Sequence, residues 1–307
     1  MGIFFGLASA LGWGIGDFFA GYSTRRVGVY RTIFFSQIVG VVGLSIYLLM
    51  TGQLLYLWQP VYLVPWLWTL VAALLNIGCA FLFYRAFQVG TLAIISPIVS
   101  SYAVVTVILS VLSGETLSPL HTLGITAAMI GIVLTATPLD LLMKLKQQPT
   151  RTDQLPVTPY NLWLHLERRF SPGVLLAIIA SIGYGVLFWL LGFHVTPFLG
   201  GIAPVWLIRL SAIVILPWLA RPLGQRLNLP RGRAWLLLLG AGTFDTLGYV
   251  ANTLGLATGQ VAIVSVFASF FSAVTVLLAW IFLHDRLSWN QWCGIIFIFL
   301  GIVLVHM

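Results

Sequence analysis

Apolar residues run along the whole chain in blocks of 17 to 26, separated by short polar interruptions and without the strict alternation of strands. A helix needs about 20 mostly apolar residues to cross a hydrocarbon core of about 30 Å. The blocks predict ten spans, over Gly2 to Tyr22, Thr32 to Met50, Tyr62 to Phe87, Leu92 to Leu112, Leu120 to Pro138, Gly173 to Phe193, Ala203 to Ala220, Ala234 to Ala257, Val261 to Leu283 and Trp289 to Val305. Runs of this length exclude a closed membrane barrel, whose strands are about half as long and alternate. The fold class is therefore an all-α integral membrane protein. The first block lacks the positive flank of a signal peptide and is long enough to span, so it is expected to stay as the first helix.

One long polar stretch, residues 139–172, interrupts the series and carries Pro149, Pro156, Pro159 and Pro172. It reads as a linker. Within it Tyr160 to Phe170 mixes Trp163, Leu164 and Leu166 with Glu167, Arg168 and Arg169, which suits a short interfacial helix or an ordinary solvated loop. The flanking segments, 1–138 and 173–307, repeat one another. Ala10-Leu11-Gly12-Trp13-Gly14-Ile15 resembles Ser181-Ile182-Gly183-Tyr184-Gly185-Val186, and Gly90 with Ala93-Ile94-Ile95-Ser96 matches Gly259 with Ala262-Ile263-Val264-Ser265. Thr106 matches Thr275, Glu115-Thr116-Leu117-Ser118 matches Asp285-Arg286-Leu287-Ser288 after a one-residue slip, and Gly131-Ile132-Val133-Leu134 recurs as Gly301-Ile302-Val303-Leu304. Five spans per half is an odd number, so the second half enters from the opposite side and the repeat is inverted.

Composition narrows the class. The chain is 60% hydrophobic and 7% charged with a mean hydropathy of +1.04, which no soluble surface carries. The net charge of +8 is scattered between apolar blocks rather than gathered on one face, which argues against a nucleic-acid partner. Cys79 and Cys293 sit inside apolar blocks, and the five histidines show no ligand spacing, so neither a disulfide framework nor a metal site is expected.

Two five-helix halves, an aromatic and glycine-rich first helix, and a Leu-x-x-Gly-Glu-type turn before each half's last helix resemble the drug/metabolite transporter superfamily, in particular its EamA-like ten-helix branch. Trp13-Gly-Ile-Gly-Asp17-Phe18, followed by Ser23-Thr-Arg25-Arg26, is similar to one bacterial subgroup. The likeness covers nearly the whole chain outside the linker. It implies an export-type carrier of amino acids, related metabolites or drugs, with a central cavity lined by spans one to four and six to nine.

Every Lys and Arg except Arg209 falls beside an odd-numbered loop, in the sets Arg25, Arg26 and Arg31; Arg85; Lys144, Lys146, Arg151, Arg168 and Arg169; Arg221, Arg226, Arg231 and Arg233; and Arg286. By the positive-inside rule the odd loops are cytoplasmic and both termini face outward. The resemblance implies termini inside; the charge count is followed here, for a multi-pass protein of the cell's inner (plasma) membrane.

Ionisable groups at mid-bilayer cost several kcal/mol unless paired or wet, so each is a functional candidate. Arg209 lies 11 residues before the end of its span and Asp245 lies 11 residues after the start of the next, which places both at one depth, about 16 Å in. Asn76 occupies the repeat position of Asp245, and Gln37 approximately that of Arg209. Asp245, with Tyr249 and Asn252 at i+4 and i+7 on its helical face, is expected to contact substrate or a coupling proton, and Arg209 to hold a substrate carboxylate or neutralise Asp245. The competing reading is a buried ion pair that only fixes helix packing. Trp13 and Tyr184 fall deep enough to line the cavity. Asp17, near the end of the first span, and Arg85, near the end of the third, are expected to form a gate pair, with snorkelling toward water as the plainer alternative. Pro97 is expected to kink the fourth span as a hinge.

Other features read as structural. Gly12, Gly14 and Gly16 permit close helix approach. Ser118-Pro119 and Ser288 to Gln291 look like capped helix starts, which assigns Glu115 and Asp285 to the starts of the fifth and tenth spans. Trp58, Trp66 and Trp68 fit interfacial belts. No Gly-x-x-x-x-Gly-Lys phosphate loop and no His-Glu-x-x-His or paired-carboxylate set occurs, so neither a nucleotide cofactor nor enzyme activity is expected. The reading is a secondary transporter of small organic solutes working by alternating access, as exporter or exchanger, with proton coupling open to Asp245 or Asp17. The alternative is a channel-like or lipid-moving protein; the oligomeric state is not readable from the chain.

Overall fold

The computed structural model describes residues 1–53, 62–90, 92–136, 173–220, 224–225, 227–230, 232–283 and 289–306. The linker, with the segment Tyr160 to Phe170 read as an interfacial helix or a loop, Trp58, Asp285 and Ser288 lie outside the described residues. Among the described residues, twelve helices, some joined end to end, make up ten spans. The first half comprises α1 (Gly2–Val27), α2 (Val29–Thr51), α3 (Leu63–Val89), α4 (Leu92–Ser100) with α5 (Tyr102–Leu112), and α6 (Pro119–Ala136). The second comprises α7 (Val174–Leu190), α8 (Ala203–Ala220), α9 (Ala234–Leu256), α10 (Val261–Ala268) with α11 (Phe271–Leu283), and α12 (Trp289–His306). A π-turn at Leu191–Val195 and a last turn at Thr196–Leu199 extend α7 beyond the predicted end at Phe193. Gly28, at φ 91°, closes α1 and opens α2, a one-residue corner that a side chain would strain.

Packing follows the inverted repeat. α1 lies along α9 and on α10 and α11, and its repeat mate α7 lies on α3, α4 and α5. α2 contacts α8 across the pseudo-twofold axis, and α6 packs on α12 away from the centre. The same bond recurs on both sides: Thr106 Oγ1 donates to the Gly185 carbonyl at 3.0 Å, and Thr275 Oγ1 donates to the Gly14 carbonyl at 3.2 Å. A Cβ at Gly14 would overlap Val274, and one at Gly185 would overlap Val105. Gly14 and Gly185 are therefore seats for the other half's ninth and fourth spans, as close packing requires.

The fourth span was expected to kink at Pro97 and the ninth to run unbroken; both are broken. The first breaks at Ser101 and the second at Ser269-Phe270, equivalent places in the repeat. Pro97 lies within α4, three residues before its end at Ser100, whose Oγ donates to the Pro97 carbonyl at 2.7 Å. The ninth span breaks without any proline, so Pro97 does not by itself account for the fourth-span break.

Ser118 caps α6 as expected, its Oγ accepting from the His121 N–H at 3.1 Å. The assignment of Glu115 to that same helix start is corrected. Its carboxylate accepts from the Ala262 N–H, at 3.0 and 3.2 Å, and so caps the uncapped N-terminus of α10 in the other half. Burial raises the Glu115 carboxyl above its ordinary value of 4.5, more than the hydrogen bonds from Ala262 and Ser110 lower it. With the folded-state value raised, the group's contribution to stability is full below that ordinary value and is lost as pH climbs through the raised one. Relative to Glu115→Gln, the wild-type protein should therefore melt lower near pH 8 than near pH 4.5, measured by thermal unfolding in detergent; a gap that does not change with pH would contradict this.

Candidate functional site

The site is built where α1 crosses α9. A Cβ at Gly12 would stand 2.7 Å from the Gly248 Cα, and one at Gly16 would stand 3.0 Å from the Asp245 N. With backbones this close, the i and i+4 positions of both helices project to one side: Trp13 and Asp17 from α1, Asp245 and Tyr249 from α9. The Trp13 and Tyr249 rings meet edge to face at 5.8 Å, which sets Asp17 level with Asp245.

These side chains wall a central cavity with about 570 Å³ of space between atoms, of which about 50 Å³ admits the centre of a water-sized sphere. Its walls come from α1, α2, α3, α4, α5, α7, α8, α9 and α11, which are spans one to four and six to nine. No described residue of spans five and ten lines it. Gln37, Asn76, Tyr184 and Arg209 line it together with Trp13, Asp17, Asp245 and Tyr249.

Arg209 is the largest fully buried side chain, 1% exposed. An unpaired guanidinium at that depth would cost several kcal/mol, and three partners offset this. Its Nη1 lies 2.6 Å from Asp245 Oδ2 and donates to Gln37 Oε1 at 2.8 Å, and its Cζ sits 5.1 Å over the Tyr249 ring. The Tyr249 hydroxyl in turn donates to Asn76 Oδ1 at 3.4 Å. The second half's Arg209 and Tyr249 are thus tied to the first half's neutral amides, Gln37 and Asn76. Arg209 Nε and Nη2 have no hydrogen-bond partner among the described residues.

Two sequence expectations are corrected. Asn252 is buried but does not reach the cavity wall; two helical turns beyond Asp245 it has passed the cavity, and its amide atoms find no hydrogen-bond partner among the described residues. Asp17 does not pair with Arg85. Arg85 is exposed and its Nη1 donates to Gln88, one turn along α3, whereas Asp17 is 7% exposed and faces inward. The carboxylate faces the centre because Gly16, on the same turn, is pressed against Asp245.

Sequence reasoning missed most of the aromatic wall. Tyr102 and Phe271 stack at 6.4 Å with their planes 13° apart, and Phe188 lies 5.3 Å from Trp13 and 4.9 Å from Tyr102. Phe188 is four residues beyond Tyr184, so helical spacing alone would have found it. Tyr102 and Phe271 are repeat mates at the offset that relates Gly90 to Gly259, and each begins a helix just past a break. Only knowledge of the breaks marks them. Tyr84 and Phe83 complete the wall without a distinguishing signal in a chain that is 14% aromatic.

The model of the EamA-like transporter family matches the chain twice, over residues 1–137 and 171–307. No curated protein matches the sequence. A crystal structure of a protein is similar in fold, with a TM-score of 0.69 at 17% identity, covering 99% of this chain and 95% of that one.

Proposed function

The chain belongs to the EamA-like transporter family, and from that premise we propose that it is a secondary carrier of small organic solutes, moving them by alternating access of its two inverted halves. Membership carries the coarser statement: a multi-pass membrane transporter for a small-molecule solute, from a family of carriers rather than catalysts. The observation that supports the finer reading is the Arg209–Asp245 pair at the wall of a cavity to which both halves contribute. A pair serving packing alone has no need of a void, yet Asp245 keeps 21% of its side chain exposed there. The paired breaks in the fourth and ninth spans, beside the same cavity, supply the joints that opening toward either face requires.

Asp245, Arg209 and Tyr249 hold the solute in this reading, with Asn76, Gln37, Trp13 and Tyr184 shaping the site. A continuous wet track, as a channel needs, is not what a space with about 50 Å³ of water-sized room offers. The odd loops face the cytoplasm and both termini the outside of the inner membrane. Arg25 Nη2 donates to the Gly90 carbonyl at 3.0 Å, which joins the first and third loops on one side. A reporter fused after Met307 that is active only outside the cell should be active; silence of that reporter with activity of a cytoplasmic one reverses the orientation.

The transport role and the packing role separate in a charge-balanced pair of variants. Asp245→Asn alone leaves a buried guanidinium without its counter-ion and should lose about 3–5 kcal/mol of stability. Adding Arg209→Gln removes the orphaned charge and should restore melting. Solute counterflow in proteoliposomes, at least tenfold below wild type in both variants, is the expected result. Recovery of counterflow along with stability in the double variant would leave packing as the pair's whole role.

A further inference from the structure

Resting on the carrier reading, the inference concerns the charge of the solute. Two acidic side chains and one basic one, from the first, eighth and seventh spans, line the cavity: Asp17, Asp245 and Arg209. Arg209 and Asp245 neutralise one another at 2.6 Å. Asp17 is left over. Its Oδ2 is buried and has no hydrogen-bond donor among the described residues. The titratable side chains that face the cavity with it are Asp245, Arg209, Tyr84, Tyr102, Tyr184 and Tyr249, and the amide oxygens of Gln37 and Asn76 there accept from Arg209 and Tyr249. The cation among them is already bound to Asp245, and Asp245 itself repels Asp17.

A carboxylate in such surroundings needs either a proton or a cation. The walls around it are ring faces and edges: Trp13 stands within 6.4 Å of Tyr102, Phe188, Tyr249 and Phe271, and Tyr184 stacks on Phe188 at 6.0 Å. Aromatic faces attract a cation and an apolar body alike, and repel an anion. We infer that the solute carries a protonated amine on an apolar or aromatic body, that Asp17 binds the amine, and that the amine displaces a proton Asp17 holds in the empty site. The proton leaves to water as the ammonium enters, so the charge of the cavity is the same before and after. The free Nε and Nη2 of Arg209 are then donors to a neutral acceptor on the solute, such as a carbonyl or hydroxyl. A simple anion would face the Asp245 carboxylate and a protonated Asp17, with the cation of the described lining already bound.

Phenethylamine and phenylacetate share a benzyl body and differ in the sign of charge, which makes them suitable probes. Isothermal titration of the purified protein in a nonionic detergent, in two buffers of different ionisation enthalpy, reads both affinity and protons released. Phenethylamine should bind at least about tenfold more tightly than phenylacetate and release close to one proton. Asp17→Asn should weaken the amine by about tenfold or more and abolish the proton release. The ranking of the two ligands on the wild-type protein stands even if that variant does not fold. Equal or tighter binding of phenylacetate, binding of neither probe, or proton release unchanged in a folded Asp17→Asn protein would overturn the inference. Counterflow of phenylacetate that disappears in the Arg209→Gln, Asp245→Asn double variant would keep the carrier and remove only the amine.

Discussion

The arginine buried midway through the bilayer constrains the rest of the molecule. A guanidinium there is tolerable only with a counter-charge, hydrogen-bond acceptors and some water, and its side-chain partners come from two elements, one in each half. Asp245 comes from α9, Gln37 from α2 and the Tyr249 ring from α9 a turn further on. The two halves are therefore tied by the hydrogen bond from Arg209 to Gln37, while the counter-charge comes from the second half itself. The cavity is the space this arrangement keeps open, since close packing over Arg209 and Asp245 would strip away the remaining hydration.

Inverted symmetry explains the packing but not the chemistry. The threonine–glycine bonds, the valines seated on glycine and the paired breaks occur on both sides, as two copies of one five-helix plan require. The site departs from that plan. Where the second half has Arg209 and Asp245, the first has Gln37 near the former's place and Asn76 at the latter's, and the lone carboxylate Asp17 has no acidic counterpart near Tyr184. The scaffold is duplicated and the binding surface is one-sided. A rigid, repeated frame around an asymmetric centre lets the solute meet the same groups whichever face is open. The Glu115 cap adds a tie between the halves at one membrane face, where the turn after α5 reaches the start of α10.

Much of this was readable in the chain because the bilayer imposes simple rules. Span lengths, the inverted repeat and the shared depth of Arg209 and Asp245 follow from 1.5 Å of rise per residue and from the cost of charge in lipid. α8 and α9 form the antiparallel pair that this counting requires, and the two side chains meet. The failures share a cause. The Asp17–Arg85 pairing used depth along the span but not rotation about it, and the rotation of α1 is set by Gly12 and Gly16 against α9. Asn252 was placed by helical periodicity on the right face but beyond the end of the cavity, whose extent is a tertiary property. Glu115 sits beside a helix start in sequence and beside another in space. The breaks at Ser101 and Ser269 carry no proline or glycine of their own, so no local signal marks the aromatic residues that follow them.

The central claim is that the amide and ion-pair layer at mid-membrane is wet and reached from alternate faces. Asn76, joined to Tyr249 in the cavity wall, is the natural reporter. In a transport-competent protein with Cys79 and Cys293 replaced and Asn76→Cys introduced, a small membrane-impermeant methanethiosulfonate should modify the new thiol from either side of a sealed vesicle. Modification from one side only, or from neither, would contradict the account.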